Sequence, residues 1–127
     1  MGLEICEEKV SVTTVGDPGA ATGYSVSAVM HGLLLDVYLN YHASAPGSTT
    51  DVTITHNVSG ATILAVANNA TDGLHVPSTP VVDSANSAIT GAAAHVVLNQ
   101  AVRVTVAESN ALTGAVVATF RYLRLPQ

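Results

Sequence analysis

The chain has 127 residues, of which 48% are hydrophobic and only 10% charged, with a formal net charge of −5. That length holds one domain around one core. The four cations Lys9, Arg103, Arg121 and Arg124 are too few to neutralise a useful row of phosphates, so nucleic acid is excluded as the main partner.

The charge content lies well below the quarter or so usual in globular proteins. The surface therefore has to be built from Ser, Thr, Asn, Gly and Ala, and much of it is expected to be covered by another chain. No apolar run approaches the roughly 20 residues of a membrane span. The opening MGLEICEEK is acidic where a secretion signal is basic, so synthesis and folding in the cytoplasm are expected.

In chain order, the first nine residues carry the densest charge, Glu4, Glu7, Glu8 and Lys9. Leu3, Glu4, Ile5, Glu7 and Glu8 are the candidate partner-binding residues. One reading makes residues 1–9 an N-terminal arm that adds to a neighbour's sheet edge, its acids meeting basic groups, while 10–127 forms the domain. The other makes them the first strand of that domain, and the sequence leaves both open. The Met-Gly start lacks the Ser or Thr that myristoylation wants at position six, where Cys6 stands. With one cysteine there is no internal disulfide, and an idle thiol is the expectation.

Next comes GDPGAATGYS, Gly16 to Ser25. A phosphate-binding loop needs Lys and Ser or Thr after its last glycine, between a strand and a helix. Neither condition holds here, and Asp17-Pro18-Gly19 has the composition of a tight turn.

Strand patterns follow. In GLLLDVYLNY, Leu33, Leu35, Val37, Leu39 and Tyr41 fall on one face, with Asp36, Tyr38, Asn40 and His42 on the other. DVTITHNV sets Val52, Ile54, His56 and Val58 against Asp51, Thr53, Thr55 and Asn57. AVRVTVAES sets Val102, Val104 and Val106 against Arg103 and Thr105, and the last run aligns Val116, Ala118, Phe120 and Tyr122. EKVSVTT, YSVSAVM, ATILAVA and AAHVVLN are shorter candidates. Turn clusters rich in Gly, Asn, Asp and Ser separate them, and SANSAIT has room for one helical turn. Thr-Gly precedes three of the runs at unequal intervals, which predicts recurrent turn chemistry with glycine at positive φ. The expected fold is all-β, a single-domain β-sandwich or jelly roll of about eight short strands.

No chemistry stands out along these runs. The histidines His31, His42, His56, His75 and His95 lack zinc-ligand spacing. The acids Asp36, Asp51, Asp72, Asp83 and Glu108 are scattered singly, without the clustering that calcium wants. Asp72 and Asp83 are expected to bond their own turns. Two glycosylation sequons, at Asn57 and Asn69, are chance matches without a secretion signal. No catalytic residue, metal or cofactor is expected.

The order GDPGAATGYS, HGLLLDVYLNY, DVTITHNVSGATILAVANNATD and RVTVAESNALTGAVVATFRYL resembles small tailed-bacteriophage structural proteins of the head decoration, or capsid cement, type. The resemblance runs from about Val12 to Leu123. It departs at His75-Val76-Pro77-Ser78, where that group carries Tyr-Pro-Arg, and in the acidic N-terminal extension. It implies a non-enzymatic virion protein on the outer capsid surface. Its partners would be the major capsid protein and copies of itself, most naturally as a trimer. On this reading the N-terminal arm would dock on an adjacent subunit or on the capsid. A phage tail or fibre component and a soluble ligand-binding β-sandwich are the competing readings.

Overall fold

The computed structural model describes residues 4–44 and 46–124, apart from the side chains of 80–82 and 91–92. Its strands are β1 (Glu4–Val12), β2 (Ala21–Val26), β3 (Gly32–Tyr41), β4 (Asp51–His56), β5 (Thr62–Val66) and β6 (Gly73–His75), followed by β7 (Ser78–Val82), β8 (Ala88–His95), β9 (Val97–Leu98), β10 (Val102–Ser109) and β11 (Val116–Arg124). The molecule is all-β, with no helix among the described residues. It follows that no helix there is long and apolar enough to cross a membrane. Among the described residues there are eleven strands rather than about eight. Segments such as β6, with three residues, and β7, which contains Pro80, pair without being long or regular enough to alternate visibly.

Every strand pairing is antiparallel. One sheet runs β1-β11-β3-β6, with β9 also on β3; the second runs β2-β10-β4-β5; β7 and β8 form a separate two-stranded ribbon. The sheets bury their alternating faces against each other, as in a sandwich. Val10, Val12, Leu39, Val116, Ala118 and Phe120 come from the first sheet, and Val52, Ile54, Val102, Val104 and Val106 from the second. Phe120 heads the fully buried side chains by volume. Met30, Val96 and Leu98 extend this core beside the start of β3, where Leu98 pairs with Gly32.

The alternation expected in β10 and β11 is present, but β3 departs from it. Asp36 stands opposite Arg121 and Leu34 opposite Tyr122, so Leu35 is the extra residue of a bulge. A bulge inverts the facing of the residues before it. Leu34 therefore joins Val37, Leu39 and Tyr41 in the core, while Leu33 and Leu35 are only half-buried. In β4, Val52 and Ile54 are buried as expected, His56 is half-buried, and Val58 is exposed beyond the strand.

The turns resolve into local chemistry. The Ala20 N–H donates to the Asp17 carbonyl at 2.9 Å, with Gly19 at φ +77°. Pro18 and Gly19 thus hold the two central positions of a type II turn. Of the Thr-Gly pairs, Gly114 has the expected positive φ of 64°. Gly23 serves a different purpose, because a Cβ there would lie 2.0 Å from the Thr13 carbonyl oxygen. SANSAIT makes no helical turn. The Asp83 N–H donates to Ser87 O, Asn86 takes φ +64°, and Ala88–Thr90 already belong to β8.

Candidate interaction surfaces

The N-terminal segment, open in the sequence between an arm and a first strand, is over Glu4–Val12 a strand of the molecule's own sheet. It pairs with β11 from Glu4↔Arg124 to Val12↔Val116. Leu3 lies outside the described residues. Glu4 accepts from Arg124 Nη1 at 3.4 Å, and Glu8 Oε2 accepts from the Ala28 N–H at 2.9 Å. Cys6 is half-buried opposite Tyr122. The Tyr122 phenol is held above its ordinary pKa by burial first and by the neighbouring Cys6 and Glu8 next. Ile5, 61% exposed, and Glu7 are exposed between these residues, and successive strand residues face opposite sides of a sheet. Among the candidate partner-binding residues, then, Ile5 and Glu7 are available to a partner, whereas Glu4 and Glu8 hold contacts within the chain.

Three cross-strand rows build the outward face of this sheet: Glu7–Arg121–Asp36, Lys9–Thr119–Tyr38 and Ser11–Val117–Asn40. Leu74 of β6 pairs beside Tyr38. All of these residues except Ser11 line a concavity of about 360 Å³. Arg121 grips Asp36 as a fork: Nε lies 2.9 and 3.2 Å from the two carboxylate oxygens, and Nη2 bonds Oδ2 as well. Such planar two-point pairing fixes the guanidinium as well as attracting it. Asp36, through its hydrogen bond and its charge, holds the Arg121 pKa above its ordinary value, and Glu7 adds to the effect. Tyr38, 40% exposed, offers an aromatic surface beside Asn40 and Thr119. Alternation alone puts Asp36, Tyr38 and Asn40 on one face. Their meeting with Glu7, Lys9 and Arg121 depends on strand order and register, which pattern does not reveal.

The β7–β8 ribbon forms the second surface. Every described side chain from Ser78 to His95 is exposed. At its tip, Asp83 Oδ1 accepts from the N–H groups of Ala85 and Ser87 at 2.9 and 3.0 Å, as expected of a turn aspartate. Asp72 behaves differently: its Oδ1 accepts from the Tyr41 N–H at 2.7 Å, tying the end of β3 to the loop before β6. At its base the ribbon is joined to β3 through His95 Nδ1, 3.2 Å from the Leu34 carbonyl, and through the Leu34 N–H donating to Val96 O. There Val76, Pro77, Ser78, Ala93, Ala94 and His95 line a notch of about 180 Å³.

The histidines are dispersed in role as well as in sequence. His31 is exposed, His42 Nδ1 accepts from the Ser44 N–H, and His56 Nδ1 and His75 Nε2 are buried without a partner. Among the described residues, no group of three or more His, Cys, Asp or Glu is placed to hold a metal ion.

These elements define an all-β antiparallel sandwich with a lateral hairpin. Neither a protein-family model nor a curated protein matches the chain. Among solved structures, the crystal structure of FLHE is similar, with a TM-score of 0.52 at 14% sequence identity, covering 98% of this chain and 100% of that one. At that identity the likeness is one of fold.

Proposed function

We propose that this chain is a non-enzymatic structural protein of a bacteriophage virion that binds the outside of the capsid lattice and reinforces it. On this reading it is made in the host cytoplasm and works as a homo-oligomer, with a trimer favoured by the resemblance to decoration proteins. The observation that carries the reading is the outward face of the first sheet. In a chain with only 10% charged residues, that face gathers Glu7, Lys9, Asp36 and Arg121 around Tyr38 and Leu74. Tyrosine and arginine in a concavity are the residue types that dominate protein–protein contacts. Charges of both signs in fixed register favour one docking orientation over others. Ile5 and Glu7, singled out as partner residues, belong to the exposed part of β1.

The test is co-sedimentation of the purified protein with capsids of its phage that lack it. Wild type is expected to saturate the lattice, and the double variant Glu7→Lys, Tyr38→Ala to lose binding while keeping its circular dichroism spectrum. Failure of the wild type to bind sinks the proposal. Undiminished binding by the variant moves the contact elsewhere.

The competing reading, a soluble ligand-binding sandwich, draws on the same concavity, whose volume is within the ordinary range of small-ligand sites. Saturable binding of a small saccharide that shifts the Tyr38 resonances, without capsid binding, would favour it.

A further inference from the structure

A two-stranded ribbon is at best marginally stable alone in water. The β7–β8 ribbon nevertheless buries none of its described side chains against the molecule's own core. Among the described residues, neither of its outer edges has a neighbouring strand, and exposed edges are templates for further contact. Asp83 is the one charged residue between Ser78 and Ala94, and its carboxylate closes the turn. Ile89, 46% exposed, is the ribbon's bulkiest residue ahead of His95. The notch at the base contains no Asp, Glu, Lys or Arg, and one of its walls is Val76, 65% exposed.

We infer that the ribbon of one copy lies across the base notch of a second copy, with Ile89 as the side chain that enters. Two molecules that each carry −5 repel, so the contact is cheapest where charge is absent. The ribbon and the notch both meet that condition. Ala88, Ala93 and Ala94 let the backbones approach closely. Donor and acceptor are different surfaces of one chain, so two copies can satisfy the contact reciprocally about a two-fold axis or pass it head to tail, and head-to-tail contacts close into a ring when the rotation between copies permits. This inference rests on the self-association in the reading above, and it requires no capsid.

The experiment is sedimentation velocity of the full chain as wild type, Ile89→Asp and Val76→Asp. Wild type is expected to run as an oligomer. Each variant should run as a monomer with an unchanged circular dichroism spectrum. Mixing the two variants should produce a one-to-one dimer and nothing larger, because I89D keeps the notch and V76D keeps the entering side chain. As a check independent of those substitutions, Ile89→Cys and Val76→Cys chains, each with Cys6→Ser, should join by an interchain disulfide when mixed and oxidised. A wild type that stays monomeric across the micromolar range overturns the inference, as do variants with the wild-type mass. A monomer that binds capsids through Ile89 also overturns it and assigns the ribbon to the capsid. Loss of capsid binding by an intact oligomer would remove the proposed function and leave this contact standing.

Discussion

Thr14 shows how much a single buried hydroxyl does in a chain with few charges. It is nearly inaccessible, its Oγ1 donates to the Asn110 carbonyl at 2.7 Å, and it accepts from the Leu112 N–H at 3.0 Å. Thr14→Val keeps the shape but leaves the Leu112 N–H without its acceptor, while the Asn110 carbonyl still accepts from Ser109 Oγ at 2.9 Å. It is expected to cost about 1–3 kcal/mol, read by urea denaturation. His56 is the corresponding titratable case. Burial disfavours its imidazolium and holds its pKa below the ordinary value. The unfolded chain, with a His pKa of about 6.5, therefore binds more protons than the folded one just below that pH. Stability should fall as the pH drops through about 6.5 and level off below the folded pKa. The difference in stability between wild type and His56→Gln should trace this fall. A difference independent of pH would remove His56 from the account.

Among the elements, β1 is the one whose role the sequence left open. Its pairing with β11 spans Glu4 to Val12, and Ser25 Oγ donates to the Ser11 carbonyl from β2. Deleting Met1 to Glu8 removes the pairs from Glu4↔Arg124 to Glu8↔Phe120 and bares the edge of β11. An exposed edge strand aggregates, so the truncated protein is expected to melt earlier and to form aggregates visible by light scattering. If it keeps the wild-type melting temperature, the segment is dispensable to the fold, as an arm would be. The close approach of β2 to Thr13 makes Gly23→Ala a second test. Its Cβ would collide with fixed backbone, at a cost of about 1–3 kcal/mol or more, whereas Gly19→Ala meets no neighbour and is strained only through φ.

At the scale of the molecule, one core joins both sheets, which predicts a single cooperative unfolding transition. Phe120→Ala empties its centre and should cost about 3–5 kcal/mol, a large share of the roughly 5–15 kcal/mol typical of a domain. The described side chains of the β7–β8 ribbon stand outside that core. In a monomeric variant such as Ile89→Asp, the ribbon's amides should exchange with solvent far faster than those of β10 or β11. Equal protection would mean that the ribbon belongs to the same cooperative unit.

Taken alone, the sequence determined the class of fold and most of its inward faces. Strand periodicity is local: Val102, Val104 and Val106, or Val116, Ala118 and Phe120, declare themselves by spacing. Turn chemistry is local too, so Asp17-Pro18-Gly19 could be recognised before its geometry was seen. The bulge at Leu35 could not, because an extra residue is defined only against the partner strand, and it exchanged Leu35 for Leu34 in the core. Nor could the Glu7–Arg121–Asp36 row, whose members are separated by most of the chain and meet only through the order β1-β11-β3. Whether Glu4–Val12 was arm or strand, and whether the described side chains of Ser78–His95 would be covered or left outside, depended on which edges and faces remained free once the two sheets had closed on each other. Tertiary structure decides such matters because they are relations between segments, and no single segment carries them.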